Sequence, residues 1–405
     1  MAQLLDGIRV VEVAMYAFVP SCGAALADWG ADVIKIEHPT TGDPVRGLSA
    51  YGVKPGDGGV CTLWEVFNRG KRSVGIDIAT ADGLAVLMEL VDQADVFITS
   101  FMHDARERLG IDVDQVMARN PRIIYGRGTG HGPVGPDADK GGFDGISYWS
   151  RSGASTAAIP PGYDFPILLP GPAFGDVQSG MFLAGGILGG LYRREKTGVG
   201  GVVDVSLLGA GMWAMAPAIA GAHAIGSKNI VQLDRRRPPN PLTNLYRSGD
   251  GHFFVLGMLQ ADKFWPGLCN ALGKPELATD PRFTDIGLRA QNSEACVATL
   301  DEIFAAMTWD QVVATLNGQE GQWSDVAFPG DTLDDAQVAA AGYLQLVQYA
   351  SGATLPMVPV PARIDEQQPV LRPAPALGEH TDDVVAALGR SPEQLIDLKI
   401  AGAIN

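Results

Sequence analysis

The chain is short of several features that would settle its class at once. Cysteine is scarce: Cys22, Cys61, Cys269 and Cys296 are the only 4 among 405 residues, and none stands in a CxxC or Cys/His spacing. That excludes a disulfide-stapled scaffold and a zinc site of the usual spacing. Positive charge is scarce too, with 30 Lys and Arg against 46 Asp and Glu and a formal charge of −16. Nucleic acid is excluded as a partner, because phosphate binding needs a basic face. An anionic ligand would instead need its own local group of Arg and Lys. None of the 6 histidines has a metal-like or triad-like neighbour in sequence. Long apolar runs are missing: Val177–Tyr192, uncharged over 16 residues, is glycine-rich and reads as a buried helix rather than a membrane span. Near the start, Asp6, Arg9 and Glu12 interrupt any signal-peptide core. With scattered thiols, this composition points to a cytoplasmic protein with no membrane partner. There is no internal repeat.

What remains is a globular composition, 46% hydrophobic and 19% charged, on a chain long enough for two or three domains. The first half alternates strand and helix. GIRVVEVA (7–14), VIKIE (33–37), DVFITSF (95–101) and RIIYGRG (122–128) are β-branched apolar runs. Between them lie CGAALADWGAD, the stretch ADGLAVLMELVDQ with Thr80 as its cap, and VDQVMARN, all with helical spacing. Such alternation predicts a parallel sheet covered by helices on both faces. Residues 177–195 and 207–224 read as two helices around the strand VVDVS (202–206). Then LDRRRPPNPLTN (233–244) reads as an exposed linker, and HFFVLGM, a helix face at Leu300, Ile303, Phe304 and Met307, and the capping box TWDQ follow. The expected organisation is a large α/β domain over 1–224, a smaller α+β domain over 225–330, and a Pro-rich linker with a C-terminal return over 331–405. The return carries one helix around 382–398.

Two segments suggest sites. GRGTGHG (126–132) follows a strand, but PVGPDADKGG behind it cannot start the helix that a dinucleotide fingerprint requires. It is expected only to turn the chain. NRGKRS (68–73) is either a solvated run or, with Arg46, Arg108 and Lys140, a phosphate-binding group. The stretch FGDVQSGMFLAGGILGG (174–190) raises a third question, since Asp176 is its sole charge. Asp is a favoured helix cap, and a helix dipole would keep it ionised at neutral pH. An ionised carboxylate can also act as a nucleophile toward an activated acyl group.

The sequence resembles the class III coenzyme A transferases, the CaiB/BaiF superfamily that also contains alpha-methylacyl-CoA racemase. The resemblance rests on LADWGADVIKIEHPTTGDPVRG (26–47), FNRGKRSVGIDI (67–78), ADVFITSFMHDARERLG (94–110) and GDVQSGMFLAGGILGGLYRREKTGVGGVVDVSLL (175–208), and runs over nearly the whole chain. It implies a Rossmann-like large domain with a parallel sheet, a smaller α+β domain and an interlocked homodimer. It implies acyl-CoA and a carboxylic acid acceptor as substrates, with no tightly bound cofactor and no metal. The catalytic aspartate falls on Asp176, expected to pass through a mixed anhydride and an aspartyl-CoA thioester, with backbone N–H groups beside it as oxyanion donors. Implied CoA contacts fall on Ala17, on His38 in place of an arginine, on Lys71, on Ser100 in place of an asparagine, and on Phe101, Arg108 and Lys140.

The racemase branch pairs its aspartate with a histidine in a GHDINY-like motif, because α-proton exchange needs a base on each face. Here GGFDGISYWSRSG (141–153) puts Phe143 at that place, which favours transferase; His131 lies upstream with no reason to substitute. A racemase or a non-catalytic acyl-CoA-binding relative are the alternatives. FDGISYWSRSG looks like the branch acting on aryl, 2-hydroxy-acid and bile-acid thioesters. Trp149, Tyr148, Phe174 and Met181 are candidates for either an acyl pocket or plain core.

Overall fold

The computed structural model describes residues 3–405. Six strands form one parallel sheet: β1 (Arg9–Val13), β2 (Asp32–Glu37), β3 (Arg72–Gly75), β4 (Val96–Thr99), β5 (Ile124–Thr129) and β6 (Gly201–Ser206), in the order β3-β2-β1-β4-β5-β6. The helices of this part are α1 (Phe18–Asp28), α2 (Thr62–Asn68), α3 (Ala81–Asp92), α4 (His103–Arg108), α5 (Val113–Arg119), the single turn α6 (Ala154–Ala157) and α7 (Phe174–Thr197). Strand side chains alternate between two cores. Val10, Val33, Val96 and Ile124 meet α1 and α7 through Val19, Leu26, Leu183 and Ile187. Val11, Ile34, Phe97 and Tyr125 meet Val86 and Leu90 of α3, Val116 of α5, and Val384, Val385 and Leu398 from the far end of the chain. Burial on both faces is why these strands read as unbroken apolar runs rather than alternating ones.

The glycines of α7 serve packing. A methyl added at Gly180 would stand 2.8 Å from Ser21 Cβ and 2.9 Å from the Phe18 carbonyl oxygen, so α7 lies directly against α1. Thr80 caps α3, accepting the Gly83 N–H as the sequence predicts. The strand β3 has no counterpart in the sequence reading; RSVG holds a single large apolar side chain, too little to stand out.

Two expected helices are each split. Residues 207–224 form α8 (Leu207–Ala214) and α9 (Ala216–Ala224), bent by 63°. Pro217 sits in the first turn of α9, where its missing N–H is harmless, and it cannot continue α8. Among the described residues no single helix is long and apolar enough to cross a membrane. The C-terminal pattern breaks at Gly389, φ 91°, into Thr381–Ala386 and Pro392–Ile400, the second opened by a Ser391–Gln394 capping box.

The described residues divide into two compact units. The larger takes residues up to Ala157, then Pro166–Ile230 and Ala339–Asn405; the smaller takes Ala158–Phe165 and Val231–Val338. The smaller unit has an antiparallel sheet of β7 (Thr243–Arg247), β8 (Phe253–Gly257) and β9 (Trp323–Asp325), with Tyr246, Phe254, Trp265 and Phe304 in its core. Arg235, Arg236 and Arg237 pair there with Asp301, Asp234 and Glu294, which accounts for the basic run. The Pro-rich segment holds a short hairpin, Gln345–Gln348 with Thr354–Met357.

Candidate active site

In a parallel sheet of this order the strand connections diverge on either side of β1 and β4, and a crevice opens beyond their carboxyl ends. A cavity of about 580 Å³ occupies that place. Its wall is made by Met15–Phe18 after β1, Ser100 and Phe101 after β4, and Gly128–Gly130 at the end of β5. Phe143 and Asp176 also line it. The GRGTGHG stretch therefore does more than turn the chain: its first half is cavity wall, while no helix follows it directly.

Asp176 is the third residue of α7, not its cap. Ala173 precedes the helix in left-handed backbone, φ 57°, and offers no side chain to the exposed N–H groups. The cap comes from elsewhere in the chain. Asp144, which opens a π-helical turn over Asp144–Ser150, accepts the Gly175 N–H on Oδ2 at 2.9 Å. Nor does the helix dipole hold this carboxyl in the ordinary carboxylate range, although it still ionises around neutral pH. Burial, and next the charge of Asp144, push its carboxyl up to about 7. Desolvation outweighs a dipole effect that is worth only about 0.3–1 kcal/mol at a helix end. The neighbouring N–H groups are also committed, Gly175 to Asp144 and Val177 to the Ala173 carbonyl at 3.1 Å, so these two are not free oxyanion donors.

Of the residues expected at CoA, the structure brings Ala17, Ser100, Phe101, Arg108 and Lys140 to the same cavity as Asp176. Ser100 Oγ accepts the Met15 N–H at 3.1 Å and so fastens the β1 loop to the β4 loop. Arg108 is exposed and has no ion-pair partner among the described residues, which leaves it available to an anion. Lys140 pairs with Asp137 at 2.6 Å. His38 lies on an adjoining cavity of about 310 Å³ that shares Phe101. Its Nδ1 accepts the N–H groups of Thr40 and Thr41, both at 3.3 Å, which places a proton on Nε2 in the neutral ring.

Lys71 lines neither cavity. Its ammonium is sealed in the core, 2.7 Å from Glu12 and 2.9 Å from the Pro20 carbonyl, and burial pushes its pKa down despite Glu12. The rest of NRGKRS is likewise neutralised within the fold, Arg69 by Asp28 and Arg72 by Asp32. Arg46 pairs with Glu37 and stacks on Trp64 at 3.4 Å. The supposed phosphate group is thus mostly structural. Its buried charges still shape the cavity. Lys35 bridges Glu12 and Asp43, and Asp43 accepts the N–H of Tyr16, which holds that residue in left-handed backbone, φ 66°.

The Tyr16 ring meets Phe143 edge-on at 5.6 Å, and Phe143 is 55% exposed within the cavity wall. Trp149, Tyr148, Phe174 and Met181 do not line it. Tyr148 is core and donates its hydroxyl to Gln178, while Trp149 donates to the Ile167 carbonyl and meets Phe174 edge-on. Tyr16 and Asp144 went unnoticed in the sequence. Asp144 stands directly beside Phe143 in the FDGISY stretch, and only the contact with Gly175 gives it meaning. Among the described residues His103, Glu107 and Asp112 have metal-like spacing, but Asp112 already neutralises Arg106 at 2.8 Å.

Comparison with known proteins identifies the family. The model of CoA-transferase family III matches residues 5–381. The chain is 32% identical over 397 residues to (R)-2-hydroxy-4-methylpentanoate CoA-transferase of Clostridioides difficile, covering 98% of each. It is 28% identical to cinnamoyl-CoA:phenyllactate CoA-transferase of Clostridium sporogenes, covering 98% of this chain and 96% of that one. Its fold is similar to that of a CaiB/BaiF family protein from Brucella suis, with a TM-score of 0.82, 28% identity, and coverage of 96% and 100%. The chain belongs to CoA-transferase family III and is an enzyme of the transferase class.

Proposed function

We propose that this enzyme moves coenzyme A from an acyl-CoA to a carboxylic acid, with Asp176 as the covalent nucleophile. The observation that carries the reading is a partly buried carboxylate at a helix start, opening onto the crevice beyond β1 and β4. Asp176 attacks the thioester carbonyl; the C–S bond breaks, CoA leaves as thiolate, and a mixed anhydride remains. The thiolate then attacks the aspartyl carbonyl, expels the donor acid as carboxylate and leaves an aspartyl-CoA thioester. The acceptor carboxylate attacks that thioester, again releasing thiolate, and the thiolate takes the new acyl group and frees Asp176. Atoms balance without water, and exclusion of water from the cavity conserves the thioester.

Ala17, Ser100 and Phe101 supply the wall along which CoA lies, and unpaired Arg108 meets its phosphates. His38, on the adjoining cavity, offers an Nε2–H in place of a guanidinium. Phe143 supports transfer over racemisation, since a phenyl ring exchanges no proton. The two named relatives act on a branched and a phenyl-bearing 2-hydroxy acid. Together with the Tyr16–Phe143 wall, this supports an acceptor among apolar 2-hydroxy or aryl acids. The four free thiols fit a reducing cytoplasm, and the exposed Met212, Trp213, Ile219 and Ile225 of α8, α9 and the turn beyond fit burial by a second copy of the chain.

Incubation with an acyl-CoA followed by hydroxylamine or borohydride tests the mechanism. Modification confined to Asp176, and loss of roughly 10⁴-fold in kcat for Asp176→Ala, are expected. Transfer at the native rate in that variant, or α-proton exchange with no modification, would overturn it.

A further inference from the structure

The carboxylate of Asp144 is unusually placed. It is 5% exposed, and none of the described ion pairs includes it. Oδ2 accepts the Gly175 N–H at 2.9 Å, and among the described residues Oδ1 is buried with no hydrogen-bond partner. Gly175 admits it: an added methyl there would stand 2.6 Å from Oδ1 and 2.2 Å from the Tyr148 ring. A neutral Asn or Ser would cap α7 equally well. Burying a carboxylate with one bare oxygen, beside a second carboxylate, is costly and calls for a reason.

We infer that Asp144 is a positioning residue for Asp176: it ties down the start of α7 and holds a negative charge against the reacting carboxylate, so that acylation of Asp176 relieves a repulsion. The inference rests on the nucleophile reading given above. In its attacking form Asp176 is an anion beside the Asp144 carboxylate, whereas the mixed anhydride and the aspartyl-CoA thioester are both neutral at that side chain. The like charge therefore raises the starting carboxylate and leaves the covalent intermediates untouched, shifting the balance toward them. A more basic carboxylate is also a better nucleophile.

Among the described residues no cation forms an ion pair with either carboxylate. Arg127, at the end of β5, is turned to Asp204 at 2.6 Å. Tyr148, on the Asp144 turn, donates to Gln178 of α7 at 3.0 Å. The other ionisable groups of the cavity are Tyr16, His103, Arg106, Arg108, Asp139 and Lys140, and none forms an ion pair with either carboxylate. The charge of Asp144 thus adds to burial in raising the Asp176 carboxyl.

Asp144→Asn keeps an oxygen for the Gly175 N–H and removes the charge; Asp144→Ser does the same with a smaller group and serves if the first variant folds poorly. In either, the acid limb of kcat/KM is expected to move to lower pH by about half a unit or more. The fraction of enzyme trapped as aspartyl-CoA, read by mass at a fixed ratio of acyl-CoA to free acid, is expected to fall about threefold or more. An unchanged acid limb and unchanged trapped fraction, whatever happens to the melting temperature, would reduce Asp144 to a plain cap and overturn the inference. Asp176→Asn run alongside separates the two ideas: if it still transfers CoA, the nucleophile reading fails first.

Discussion

At the residue scale, the proton on Asp176 links catalysis to stability. In the unfolded chain this carboxyl ionises near 3.8, and in the fold at about 7. Between those values the folded state keeps a proton that the unfolded state has lost, so stability falls as pH rises through that window and is fully present only below it. Asp176→Asn removes the dependence. The variant is expected to be more stable than the parent at pH 8 by on the order of 1–3 kcal/mol, discounted for the partial exposure of the site. The gap should close toward pH 4; denaturant midpoints at the two pH values measure it, and an equal gap at both would refute it. Sequence pattern picked out Asp176 through its isolation among small residues. It could not reveal the partner, because Asp144 reaches Gly175 across 31 positions of irregular chain. Lys71 misled for a related reason. A charge run looks the same whether its members face solvent or, as here, Glu12 in the core.

At the element scale, α7 shows how local composition answers to a neighbour. Gly180 lies under α1 and Gly185 has nothing within 4 Å of an added methyl, though both belong to one glycine-rich run. Gly180→Ala is expected to destabilise by about 1–3 kcal/mol through overpacking against backbone. Gly185→Ala should stabilise by roughly 0.5–1 kcal/mol through reduced backbone entropy in the unfolded chain. Thermal melts of the two variants check the pair, and equal shifts would show that α1 does not dictate the small residues. The strands of the parallel sheet were readable as unbroken apolar runs and the helices between them by their apolar spacing. What escaped were elements defined by context: β3, which gains its place by pairing with β2, and the breaks in the two long helical patterns at Pro217 and Gly389.

At the scale of the whole molecule, the apolar side chains left outside matter most. Trp213 is 72% exposed, and Met212, Ile219 and Ile225 are exposed on the same bent helix pair and its end. A second copy covering them predicts a sedimenting mass twice the 42.6 kDa of one chain. It also predicts little response to salt, since apolar contacts are not screened. A single-chain mass at micromolar concentration would refute it. The larger unit, meanwhile, draws one wall of its core from Val384, Val385 and Leu398, and Ile76 bridges to Ile404. A ribosome delivers these wall-formers hundreds of residues after β1, so the nascent sheet waits with one oily face bare. Chaperone demand during translation should therefore peak late, and a stop codon just before Thr381 would be far more damaging than the few lost residues suggest.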